Sequence, residues 1–155
     1  MIQRIQSLYL LLTTLLSLLF LNGSILNFIN NSGSAIRITF TGIVKSSEGQ
    51  GIEVINNLLP LSVIIVIIPV LSLITIFFFK NRNVQVWLSG ILITLVAGMI
   101  LISIYCSYLI ITQYNGEIVP GIKMALPLLL LILSILAFRG IRKDDRLVKS
   151  YDRLR

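Results

Sequence analysis

The side chains able to do chemistry in this 155-residue chain are few and stand apart. Its six acids are Glu48, Glu53, Glu117, Asp144, Asp145 and Asp152, and of these only Asp144 and Asp145 are adjacent. Neighbouring helical residues point roughly 100 degrees apart, so that pair does not share one acid–base site. The basic residues around it make charge balancing the simpler reading. Histidine is absent, which removes the commonest metal ligand, the usual general base near neutral pH and the usual axial haem ligand together. The single cysteine, Cys106, lies inside an apolar run and reads as a buried small residue. No phosphate-binding glycine loop, nucleophile elbow or zinc spacing occurs. The residues point away from an enzyme, and no cofactor or metal is expected.

Hydroxyl groups are the other polar set. Ser62, Ser72, Thr75, Ser89, Thr94, Ser103, Ser107 and Thr112 lie within long uncharged runs, where a substrate path would have to use them. Coupled transporters and pumps usually carry ionisable residues in their spans, and these runs hold none. Serine and threonine in membrane helices more often bond to their own helix or to a neighbour. Pro69 and Pro127 can bend helices and free a carbonyl, with tolerated kinks the simpler reading. Gly90, Thr94 and Gly98 recur every fourth residue on one helix face with Ala97 beside them, a spacing that lets another helix approach closely. They are assigned to helix packing, against another helix of this chain or a second protein.

The elements that must position these groups are apolar runs. The chain is 56% hydrophobic and 12% charged, with a mean hydropathy of +0.96, more than one small water-soluble core would bury. Leu58 to Phe79 holds no charge over about 22 residues, the length a helix needs to cross bilayer hydrocarbon. The loop from Lys80 to Asn83 is short enough to force an antiparallel neighbour, uncharged from Val84 to Thr112. That run, at roughly 29 residues, exceeds a bilayer core and should tilt or project. Trp87 lies at its expected inner interface, and Tyr105, Tyr108 and Tyr114 approach the outer one. Leu8 to Leu21, continuing through Ile25, Leu26 and Phe28, reads as a retained first span rather than a cleaved signal peptide, since Leu21 and not Ala holds the minus-three position before a cut near Ser24. Met124 to Phe138 is short for a span unless it starts near Pro120 with Lys123 snorkelling outward. The expected spans are about 6–26, 58–79, 84–112 and 120–138.

Residues 27–57 form the only sizeable polar section. Asn30 to Ser34 is a turn-rich cluster. Ile36, Ile38 and Phe40 then alternate with Arg37, Thr39 and Thr41 ahead of Gly42-Ile43-Val44, a strand pattern. Ser46 to Gly51 supplies a loop and Ile52 to Ile55 a returning strand. Isolated hairpins are marginal, so this one must lean on the helix ends. Asn115-Gly116 and Pro120-Gly121 mark turns in a second loop.

The formal charge is +7. Arg4, Lys80, Arg82 and the seven basic residues from Arg139 onward fall on one side of the expected membrane, against Arg37, Lys45 and Lys123 on the other. Both termini should then be cytoplasmic. Such charges set topology and meet anionic headgroups. Nucleic acid is not an expected partner, because no reading helix or aromatic platform stands beside them. The tail places Leu147, Tyr151 and Leu154 at i, i+4 and i+7, an amphipathic helix that is either solvated or laid on a membrane or partner.

Three stretches carry a resemblance: Met1 to Leu11, Lys80 to Gln85, and Ile141 to Arg155. They resemble a family of uncharacterised small four-helix membrane proteins of Bacteroidetes-type bacteria, a domain of unknown function. The family pattern looks like M-I-Q-R-I-Q-x-L-Y-L-L at the start, Y-K-N-R-x-x-Q inside and I-R-K-D-E-x-L-V-R-S-x-D-R-L-R at the end, with Phe79, Asp145 and Lys149 as mild departures. The resemblance implies an inner-membrane location and four helices, and it brings no activity with it. All three stretches fall on the side that the charges place in the cytoplasm. Gln3, Arg4, Gln6, Asn81, Arg82, Gln85 and the tail are therefore expected to form one polar surface that docks a partner or rests on anionic lipid. The candidate headgroup- or partner-binding residues are Arg4, Lys80, Arg82, Arg142, Lys143, Arg146, Lys149, Arg153 and Arg155.

The expected architecture is an all-α, antiparallel four-helix bundle in the bacterial inner membrane. It carries a small extracytoplasmic β-hairpin in the first loop and an amphipathic C-terminal cytoplasmic helix. Its expected role is that of a non-catalytic assembly or interaction protein, with anionic lipid, another protein or a second copy as partner. The alternative is a small transporter or channel subunit.

Overall fold

A computed structural model of the chain describes residues 3–30, 34–47, 50–114 and 116–152. Among these residues the protein is mostly helical, with four helices and one small antiparallel sheet. The first helix, α1 (Gln3–Leu18), ends sooner than its apolar composition implies. Three tightened turns, Leu19 N–H to Leu16 C=O, Phe20 to Ser17 and Leu21 to Leu18, carry the coil on to Leu21. Gly23 then takes φ +84°, a left-handed conformation that stops a helix. Ile25 and Leu26, expected at the end of the first span, and Phe28 just beyond it lie instead in a strand, β1 (Ser24–Asn30), that buries Ile25 and Phe28.

The expected hairpin is part of a larger sheet. β2 (Ala35–Thr39), β3 (Gly42–Ser47), β4 (Gln50–Asn57) and β5 (Gly116–Val119) join β1 in the order β4-β3-β2-β1-β5, all antiparallel. The hairpin itself is β3–β4, with Val44 opposite Val54 and Lys45 opposite Glu53. The alternating run from Ile36 to Val44 is two strands, because the chain reverses at Phe40-Thr41, where Thr39 Oγ1 donates to the Gly42 carbonyl at 2.9 Å. Gly42 has φ +154°, and a Cβ there would stand 2.2 Å from the Asn56 carbonyl oxygen, so no other residue fits. Asn27 of β1 pairs with Arg37 on one side and Val119 on the other, stitching the two loops at this end of the molecule together. Of the expected turns, residues 31–33 and Asn115 lie outside the described residues.

The remaining helices are α2 (Leu59–Phe77), α3 (Arg82–Tyr114) and α4 (Leu126–Asp152). Leu59–Phe77, Arg82–Tyr114 and Lys123–Arg146 are each long and apolar enough to cross a membrane; α1 contributes a shorter apolar stretch, Ile5–Leu18. At 1.5 Å per residue α1 rises about 24 Å, against about 30 Å of hydrocarbon. Pro127 sits in the first turn of α4, where a missing N–H costs nothing and no kink follows. Pro69 is buried inside α2. The tail that reads as a helix of its own is the continuation of α4 as far as Asp152.

α1 packs beside α2 and α4, and α3 completes the ring by packing beside the same two. Leu10, Leu61, Ile65, Leu92, Met99 and Leu130 from the helices share one core with Phe28, Ile36 and Ile38 from the sheet. The outside of the bundle is apolar too. Leu8, Val63, Leu101, Ile104, Leu128 and Ile132 are each more than half exposed, while Thr13, Ser72, Thr75, Ser89, Ser103 and Ser134 are buried. Small hydroxyls inside and large aliphatics outside invert the order of a water-soluble bundle.

Candidate functional site

The described parts of the three stretches that carry the resemblance, 3–11, 80–85 and 141–152, meet at the end of the bundle opposite the sheet. There, among the described residues, four hydrogen bonds link the helices into a closed ring. Ser72 Oγ of α2 donates to the Leu10 carbonyl of α1 at 2.8 Å. Gln85 Nε2 of α3 donates to the Thr75 carbonyl of α2 at 3.3 Å. Arg82 Nη1 of α3 donates to the Asp144 carbonyl of α4 at 3.2 Å. Gln6 Nε2 of α1 donates to the Asp144 carboxylate at 2.7 Å and closes the circuit. Gly140, one turn before Asp144, makes room for this contact, because a Cβ there would lie 2.8 Å from Gln6 Cγ.

This ring changes the reading of the polar surface. Gln6 and Gln85 are only 4% and 6% exposed, so they tie helices together and do not face a partner. Between apolar helices an amide finds little water, and an unpaired one is costly. Asp144 is likewise more than a counter-charge: its carboxylate and its backbone carbonyl hold two different helices. Arg82, expected on the headgroup surface, is half-buried in the ring.

The opposite face of α4 is basic. Arg139, Arg142, Lys143 and Arg146 are exposed and line one open depression with Phe138. The Arg142 guanidinium carbon lies 5.9 Å from the Phe138 ring centroid, within cation–π range. Arg139 was not among the sequence candidates, although its spacing of three, four and seven residues from the other three places it on their helix face. Arg4 and Lys149 belong by their backbone to α1 and α4, and Lys80 to the turn between α2 and α3. Arg153 and Arg155 lie outside the described residues.

The small-residue face of α3 is not closely packed by another helix of this chain. A Cβ on Gly90 would sit 3.9 Å from Phe138 Cε2, and one on Gly98 would meet nothing within 4 Å. Thr94 is exposed and its hydroxyl bonds the Gly90 carbonyl of its own helix at 3.2 Å. With Trp87, Ile91, Leu95 and Phe138, Gly90 and Thr94 line an apolar groove between α3 and α4.

The hydroxyls considered for a substrate path all donate to backbone carbonyls. Thr75, Ser89, Thr94, Ser103, Ser107 and Thr112 bond within their own helices. Ser72 crosses to α1, and Ser62 reaches Leu58 and the Phe40 carbonyl in the turn between β2 and β3. Among the described residues no group of three or more His, Cys, Asp or Glu side chains is placed to hold a metal ion.

Comparison with curated proteins and with solved structures finds no match. A family model matches residues 2–154, nearly the whole chain. The protein therefore belongs to the family described as a domain of unknown function, DUF4293.

Proposed function

We propose that this chain is a multi-pass protein of the inner (cytoplasmic) membrane with both termini in the cytoplasm, working as a non-catalytic assembly or interaction protein through a basic cytoplasmic face. The observation that carries this reading is the division of α4 beyond Phe138. One side is bonded to Gln6 and Arg82, while the other presents four exposed cations directly below the apolar shell. A locked end with an open charged face suits holding something at the membrane surface.

Several features support the membrane placement. Leucines and isoleucines cover the outside of all four helices, and the buried hydroxyls bond to carbonyls inside. The shortness of α1 is relieved by the tightened turns to Leu21, which add roughly 6 Å at about 2 Å per residue. Among the described residues, eight basic residues at the end opposite the sheet against three at the sheet end follow the charge asymmetry of retained loops.

The test is a photo-crosslinker at Asn81, exposed in the inner loop, used in native membranes beside a solute-flux assay in vesicles. The expected result is a stoichiometric protein adduct that disappears when Arg139, Arg142, Lys143 and Arg146 are each replaced by Gln, with no solute-specific flux. Flux that depends on this chain would overturn the reading in favour of a transporter or channel subunit. Point substitutions are used because a chain ending at Gly140 would also lose Asp144 and open the ring.

A further inference from the structure

We propose that the α3–α4 groove and the basic cluster below it form one binding site for a single anionic phospholipid. An acyl chain lies in the groove, and the phosphate is held by Arg139, Arg142, Lys143 and Arg146. The inference rests on the membrane reading above and adds a ligand, a pose and a set of contacts to it.

Continuity is the first argument. Phe138 lines both the apolar groove and the basic depression, so the two are halves of one surface. A ligand that fills both must be apolar at one end and anionic at the other. Trp87, 69% exposed on the groove wall, marks the level where hydrocarbon gives way to headgroups. The Arg142 guanidinium, over the Phe138 ring, stands at that same boundary.

Chemistry is the second. The groove offers an acyl chain a floor without a side chain at Gly90, and the Thr94 hydroxyl is already spent on its own helix. Nothing there asks for a polar partner. Below it, Arg and Lys donors stand exposed on one helix face, and guanidinium forks match phosphate oxygens. Asp144 is turned to Gln6 on the other side of α4, away from the cluster; Asp145, which has an interaction of its own, flanks it.

A second copy fits less well. Two-fold packing of this groove on itself would bring the two basic clusters near each other, and like charges across an interface are costly. A lipid phosphate reverses that sign.

The experiment uses the full chain, purified, stripped of lipid and placed in phosphatidylcholine nanodiscs with or without phosphatidylglycerol, with bound lipid counted by mass spectrometry. The wild-type chain should retain phosphatidylglycerol over phosphatidylcholine. Each basic residue near the surface is worth roughly fivefold, so Arg142→Gln with Arg146→Gln should lower that retention by about twenty-fivefold. Gly90→Leu, or Thr94→Trp should the first not fold, should abolish the preference while leaving the cluster intact. Inorganic phosphate should not displace the lipid.

Equal retention of both lipids would overturn the proposal. An unaffected groove variant would reduce the effect to diffuse surface charge, and displacement by phosphate would reduce it to an anion site; either result refutes the lipid pose. A dimer that Gly90→Leu splits would give the groove to a second copy and refute it as well. If the chain left the membrane fraction without detergent, the membrane reading itself would fall. If it stayed there and bound lipids indifferently, this inference alone would fall.

Discussion

Gln6 and Asp144 are 138 residues apart in sequence and 2.7 Å apart in space. Their types and the stretches they sit in were legible, and so was the convergence of those stretches on one end of the molecule. Their burial was not, because a glutamine reads as a surface residue until its partner is known, and nothing local announces a partner at that separation. Asp144 had a ready explanation in the cations around it, which hid the bond it makes. Gln6→Leu leaves that half-buried carboxylate without its amide. It should cost about 1–3 kcal/mol, seen as a lower unfolding temperature in detergent. In a double-mutant cycle with Asp144→Leu the two changes should couple by about 1 kcal/mol. Strict additivity would mean that no direct bond exists.

At the scale of elements, the long uncharged helices were the easiest to read, since apolarity over 20 or so residues needs no period to be recognised. The sheet was harder. β1 follows α1 after five residues, of which Leu19, Phe20 and Leu21 are apolar and only Asn22 and Gly23 are not, so Ile25, Leu26 and Phe28 look like more of the same span. β5, Gly116–Val119, is four residues long and carries too little alternation to register as a strand. The hairpin β3–β4 showed in the sequence because the alternation of Ile36 and Ile38 with Arg37 and Thr39 in β2 runs on into Ile43 and Val44, and the run Ile52 to Ile55, rich in β-branched residues, returns after a polar loop. Its weak point is Gly42. Gly42→Ala would drive a methyl group into the Asn56 carbonyl, a backbone collision that should cost about 3 kcal/mol or more. The expected readout is loss of folded protein from the membrane fraction at normal expression, and wild-type yield would show that the turn can relax.

Across the whole molecule, composition alone pointed to a membrane protein, while the burial of the hydroxyls and the arrangement of the helices were not legible. Order around the ring depends on which helix faces approach, and α2 and α3 are apolar on nearly every side. The proposed topology places Lys45 and Lys143 on opposite sides of the bilayer. In a Cys106→Ala background, Lys45→Cys should react with an impermeant maleimide added outside intact cells, and Lys143→Cys only after the membrane is opened. Labelling of both from outside, or of Lys143→Cys alone, would overturn that topology.

α4 runs without a joint from Leu126 to Asp152, and the short 3-10 turn leading into it, Ile122–Ala125, is moored where Lys123 Nζ donates to the Asn22 carbonyl in the turn between α1 and β1. Such a helix behaves as a spoke. Whatever grips its basic end meets it at an angle set by the rest of the wheel, and a sideways pull there is felt by the hub at Gln6 and, further along, by the rim that carries the sheet.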